Sequence, residues 1–123
     1  MKTRRDDARP YVTKDGSVIR ELFHPAQHGG GRMSLAEATL PPGRSTIPHR
    51  HPASEELYHV LSGRGRMRLD GREHGLAPGD TVRIAPGELH WVENSGEEDL
   101  VFLCLCHPPY SHHDTVLDAD AAG

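Results

Sequence analysis

From residue 34 onward the chain alternates short apolar runs with turn-forming clusters: Pro41-Pro42-Gly43, Ser62-Gly63-Arg64-Gly65, Asp70-Gly71, Pro78-Gly79-Asp80, Pro86-Gly87 and Asn94-Ser95-Gly96. Turns recurring at intervals of about 8 to 12 residues or less predict an antiparallel β-sandwich or barrel, and no stretch reads as a helix. Asp70-Gly71 marks the clearest hairpin, joining residues 66–69 to residues 72–74, because this dipeptide accepts the two positive φ angles of a type I′ turn. Strand parity then points Met67 and Leu69 inward and Arg66 and Arg68 outward. By the same parity Glu56, Tyr58 and Val60 share an inner face, while Leu57, His59 and Leu61 share the outer one. Upstream, residues 17–22 read as a short strand, residues 28–31 as a flexible glycine link and residues 1–10 as a charged, loosely held arm.

Two leucines on an outer face, together with the unbroken apolar run Val101-Phe102-Leu103-Cys104-Leu105, imply a sheet covered on both sides. A homodimer that buries one sheet is the expected source of that cover. Within the run, Cys104 and Cys106 share a strand face, cannot easily satisfy disulfide geometry with each other, and are the only 2 cysteines. They read as buried core thiols.

Composition narrows the class. With 123 residues, 35% hydrophobic positions and a mean hydropathy of -0.62, the chain suits one domain with a modest core and a polar surface. Net charge is -4, and the Arg4-Arg5 pair is followed at once by Asp6-Asp7. No basic footprint for nucleic acid exists. No segment approaches the roughly 20 apolar residues of a membrane span, and the N-terminus lacks the apolar stretch of a signal peptide. A cytoplasmic protein that handles a small molecule, without nucleic acid or membrane as partner, is expected.

The chemistry concentrates in His49-Arg50-His51, followed by Glu56 and, far along the chain, by His90. On a strand, residues at i and i+2 project to one face, so His49 and His51 can aim at a single ion. Imidazole and carboxylate donors suit one divalent transition metal: Fe, Mn, Zn, Ni or Co. With 10 histidines in 123 residues, a His-x-His pair arises by chance about 0.8 times, so the pair alone decides nothing. Adding Glu56, Gly43 and Gly63 at their offsets lowers the chance expectation below about one in a thousand.

The spacings Gly43-x5-His49-x-His51-x4-Glu56-x6-Gly63 and Gly79-x5-Ala85-Pro86-Gly87-x2-His90-x3-Asn94 resemble the two conserved motifs of the cupins. One departure is Ala85-Pro86-Gly87 where the family usually has Pro-x-Gly. A proline moved by one position still sets up a tight turn before Gly87. The resemblance implies an all-β double-stranded β-helix, or jelly-roll barrel, over about residues 34–106 of a single cupin domain spanning 1–123. Residues 11–33 then form an N-terminal strand region and residues 107–123 a C-terminal tail. It further implies His49, His51, Glu56 and His90 as metal ligands, with Asn94 in a structural role; Glu55 is the alternative carboxylate, and the spacing to Gly63 favours Glu56, which would leave Glu55 pointing away.

Three more residues are candidates for catalysis. Tyr58 lies two positions beyond Glu56 on the inner face, where its hydroxyl can donate into a pocket. His113 and Asp114 lie in the tail Pro108-Pro109-Tyr110-Ser111-His112-His113-Asp114-Thr115, which reads either as a lid carrying a proton-transfer group or, the favoured reading, as a turn and cap against a partner subunit. Trp91 takes the face opposite His90, and His24, His28, His59 and His74 fall outside both motifs. The expected function is a metal-dependent enzyme for a small oxygenated, anionic substrate, with dioxygenase-type chemistry slightly ahead. The alternatives are an isomerase, lyase or decarboxylase working through an enolate, and a non-catalytic module that binds a small ligand.

Overall fold

In the computed structural model, which describes residues 1–118, the chain folds into two antiparallel sheets packed face to face. Its strands are β1 Tyr11–Val12, β2 Val18–Phe23, β3 Ser34–Leu40, β4 His49–Arg50, β5 Glu55–Ser62, β6 Gly65–Leu69, β7 Arg72–Leu76, β8 Thr81–Ile84, β9 His90–Asn94, β10 Leu100–His107 and β11 Val116–Leu117. One sheet runs β1-β2-β3-β10-β5-β8 and the other β11-β4-β9-β6-β7. This is the antiparallel sandwich that the turn spacing predicted, in the jelly-roll arrangement that the cupin resemblance implied. Among the described residues no helix is long and apolar enough to cross a membrane.

Alternation does the positioning. Along β5 the buried residues are Glu56, Tyr58 and Val60, while Leu57 and Leu61 stay exposed. Between β6 and β7 the backbone reverses through Asp70 at φ 50 and Gly71 at φ 84, the two positive angles of the expected turn. Met67, Val92, Leu100, Phe102, Leu40, Ile84 and Val60 fill the space between the sheets. Gly63 is needed where β5 ends. Its φ is +83, and a Cβ there would stand 2.4 Å from the Asp99 carbonyl oxygen, so the chain crossing admits no side chain.

The N-terminal segment corrects two expectations. Residues 1–10 pack against β2 and β3: the Arg5 guanidinium grips Glu37 at 2.9 Å, Arg20 donates to the Ala8 carbonyl and Thr3 to the Leu22 carbonyl. The arm is therefore docked through Arg5, Thr3 and the Ala8 carbonyl, which sequence composition cannot show. Where no helix was expected, one helical turn, Pro25–His28, leads into the glycine link, with Pro25 at its start, the His24 side chain accepting from the Ala26 N–H, and Gly29 closing it in the left-handed region. A turn this short carries no amphipathic period to read.

Candidate metal centre

Three strands and one loop converge on a buried point between the sheets. His49 on β4 pairs directly with His90 on β9, and their ring centroids lie 4.2 Å apart. His51 follows β4, with its ring 5.0 Å from His49 and 5.4 Å from His90. Glu56 enters from β5 in the opposite sheet, so each sheet supplies part of the set. Glu55, one residue earlier, faces out and pairs with Arg83 at 2.7 Å. All four inward residues are buried, His90 completely.

Backbone carbonyls fix which nitrogen each ring presents. Nδ1 of His49 lies 2.7 Å from the Ile47 carbonyl, Nδ1 of His90 2.9 Å from that of Glu88, and Nδ1 of His51 3.2 Å from that of Asp114. A carbonyl only accepts, so Nδ1 carries the proton and the Nε2 lone pair points inward. There it meets further acceptors. His51 Nε2 is 3.3 Å and His90 Nε2 3.7 Å from Glu56 Oε1. His90 Nε2 and Glu56 Oε1 are buried without any hydrogen-bond partner, and one ligand atom from each of the three histidines falls within 4.8 Å of the others. Acceptors gathered without donors are costly unless a cation lies among them. The donor set fits a divalent transition metal.

The family model for the cupin domain matches residues 36–106. The chain is a cupin. An uncharacterized protein of Methanocaldococcus jannaschii is 50% identical to it over 115 residues, covering 94% of this chain and 92% of the relative. An oxalate-binding protein of Thermotoga maritima is 36% identical over 84 residues, covering 68% and 69%. Among solved structures, that of a predicted oxalate decarboxylase from Thermotoga maritima superposes with a TM-score of 0.77 at 28% identity, over 88% of this chain and 99% of its own.

Electrostatics in this cupin favour the neutral form of His49 and His90 and the charged form of His51. Burial lowers the pKa of His90 to about 4, helped by the neighbouring His49. Burial likewise lowers that of His49, against the pull of Asp15. For His51, burial acts in the same direction but is outweighed by Glu56 and Asp114, which raise its pKa. Burial of Glu56 is outweighed in turn by His51 and His90, which hold the carboxyl below its usual range.

The other candidates separate. Tyr58 lines the cavity, with its ring 5.8 Å from His90, and burial drives its pKa far up, so its hydroxyl remains a neutral donor. The Asp114 carboxylate accepts from the backbone N–H groups of Ala53 and Ser54, both at 2.9 Å, which leaves it a fastening role for the tail. His113 is exposed and does not line the cavity. The tail is a cap within its own subunit: β11 pairs with β4, and the Asp114 carbonyl and Thr115 Oγ1 both sit 3.2 Å from His51 Nδ1. Tail residues 119–123 lie outside the described residues. Asn94 is structural, donating from its amide to the Leu40 and Glu98 carbonyls.

Two neighbours of the centre have no sequence motif. The Cys106 thiol donates to Glu56 Oε2 at 3.0 Å, and burial followed by the Glu56 charge pushes its pKa well up, so it stays protonated. Asp15, in the loop before β2, brings Oδ2 to 3.4 Å from His49 Nε2 while Oδ1 accepts from the Ser17 N–H and hydroxyl. The only legible signal was Asp15-Gly16-Ser17 as a turn, which says nothing of where the turn docks.

Proposed function

We propose that this cupin is a metal-dependent enzyme that binds a small oxygenated organic substrate through two oxygens at an ion held by His49, His51, Glu56 and His90. The observation that carries this is the cluster of inward Nε2 lone pairs around the partnerless Glu56 Oε1. Bound there, a dication supplies a Lewis acid that polarises a chelated carbonyl or carboxylate. The chain's own residues do the rest. Their carbonyl-anchored rings fix the ligand directions, Cys106 orients Glu56, and Tyr58 offers a neutral O–H donor to substrate oxygen. The apolar side chains of Ile19, Ala38 and Phe102 exclude water.

Isomerase, lyase or decarboxylase chemistry is the better supported member of the pair. The cavity is narrow and walled by Ile19, Ala38 and Phe102, which favours a single chelating ligand over substrate and dioxygen side by side. The relative named as oxalate-binding supports a small carboxylate-like ligand. Two further readings belong to the proposal. The cytoplasm suits the free thiols of Cys104 and Cys106. A homodimer would cover Leu57 and Leu61, with Leu57 in register with half-buried Leu105.

Elemental analysis of purified wild type and His51→Ala tests the centre. About one dication per wild-type chain and a loss of most metal in the variant are expected; full stoichiometry after the substitution would overturn the ligand assignment. Turnover of small hydroxy- and keto-acids that disappears with a strong chelator and returns with one dication tests the catalytic step.

A further inference from the structure

The cavity holds a third carboxylate that the metal centre does not use. Glu21 on β2 is buried, at 6% exposure, and lines the same space as His49, His51 and Glu56. Its Oε1 accepts from the Tyr11 hydroxyl at 2.7 Å. Its Oε2 is buried with no hydrogen-bond partner. An acceptor left bare at the wall of a cavity is costly unless something that enters the cavity donates to it.

Glu21 on β2 and Glu56 on β5 line the cavity from the same face of one sheet, with β3 and β10 between them. Glu21 is in register with Ala36, Cys104 and Tyr58, one inward position along from the row of Glu56, Cys106 and Ser34. A ligand chelated beside Glu56 extends toward Glu21 along this face, and the narrow cavity admits only a small one.

Charge limits the class further. Among the residues that line the cavity there is no lysine or arginine, but there are three carboxylates, Asp15, Glu21 and Glu56. With one dication present, the formal charge is about -1 before any ligand enters. A dianion would meet this charge unaided, whereas a neutral or singly charged molecule with a donor at its far end would be drawn to Glu21.

Resting on the metal-site reading above, we propose that Glu21 is a specificity-determining residue: it selects small hydroxy acids or hydroxy ketones that carry a hydroxyl or ammonium beyond the two chelating oxygens. Tyr11 holds the carboxylate in place through Oε1, which leaves Oε2 for the incoming donor.

Three probes that differ only at that far position test the assignment on the cobalt(II)-loaded protein: 2-hydroxypropanoate, 2,3-dihydroxypropanoate and 3-amino-2-hydroxypropanoate. Cobalt content is counted first, and affinities are then read from changes in the visible cobalt absorption. Wild type is expected to bind both donor-bearing probes about ten-fold more tightly than 2-hydroxypropanoate, the worth of one hydrogen bond to a charged group. In Glu21→Gln, which keeps the side-chain shape and an acceptor for Tyr11, the ammonium preference should vanish and the hydroxyl preference fall below about two-fold. A preference for only one of the two donors, lost in the variant, supports Glu21 and names the donor. Equal affinities for all three probes in wild type, which needs no variant to fold, overturn the inference. Preferences unchanged in Glu21→Gln overturn it too, and leave Glu21 as a prop for Tyr11. A wild type that takes up no cobalt sinks the metal reading itself, and the cobalt count distinguishes that failure from the others.

Discussion

Cys106 and Glu56 are joined by a thiol-to-carboxylate hydrogen bond of 3.0 Å, made to Oε2, while Oε1 of the same carboxylate faces His51 and His90. The two oxygens therefore have separate duties. One is anchored to β10, and the other is left for the ion.

Cys106→Ala removes the anchor without touching a metal-facing atom. Metal affinity should fall about ten-fold, the usual cost of losing a group that orients a ligand, and Cys106→Ser should restore part of it. Competition with a chromogenic chelator measures both; unchanged affinity in the alanine variant would assign the thiol to packing alone.

Asp114→Ala leaves the Ala53 and Ser54 N–H groups without their acceptor and loosens the segment whose carbonyl holds His51. The melting point of the metal-free protein should drop, by the equivalent of about 1–3 kcal/mol, and metal affinity should drop with it. If Asp114 served only in proton transfer, turnover would fall while both of these stayed put.

Acid should weaken the metal-free fold through two histidines. His90, lowered to about 4, and His49, also lowered, remain neutral in the fold at pH values where an unfolded histidine, with its pKa near 6.5, takes up a proton. Between about pH 6.5 and 4.5 the unfolded chain thus binds more protons, and stability falls as pH falls, by up to about 1.4 kcal/mol per pH unit from His90, with His49 acting in the same direction. The raised pKa of His51 adds stability that is fully present below 6.5, and the lowered pKa of Glu56 adds stability that is fully present above about 4.5, so neither changes the slope in this window. Chemical denaturation at several pH values checks it, and replacing His90 with a neutral isostere such as Gln should flatten the dependence.

Gly63→Ala should cost about 2–4 kcal/mol, since the new Cβ would clash with the Asp99 backbone and the residue would keep a positive φ. Gly71→Ala, at a similar φ but in open space, should cost less. Denaturant midpoints of the two variants, measured side by side, separate crowding from backbone strain.

Leu57 and Leu61 are 36% and 45% exposed on the outer face of β5. If a second copy covers them, sedimentation should show a dimer, and Leu57→Glu should shift it toward monomer with metal content intact. A monomeric wild type would remove the proposed interface.

Features written in short-range patterns were legible from the sequence, and those that depend on distant contacts were not. The spacing to Gly63 separated Glu56 from Glu55, and Asp70-Gly71 announced its own turn because the required φ angles belong to those two residues. The three histidines could be grouped through motif spacing, although His90 lies 41 positions beyond His49. In contrast, the docking of Arg5 on Glu37, the approach of Asp15 to His49 and the bare oxygen of Glu21 all depend on how distant segments meet. The cysteines show the boundary well. Parity placed Cys106 on the inner face, but only the pairing of β10 with β5 revealed its partner.

Because β11 lies beside β4, and the segment leading to it supplies the carbonyl that steadies His51, residues 108–117 belong with the candidate centre. A protease nick between 108 and 115 would spare every packed strand of the barrel proper and still unfasten one imidazole, silencing the centre while leaving the shell folded.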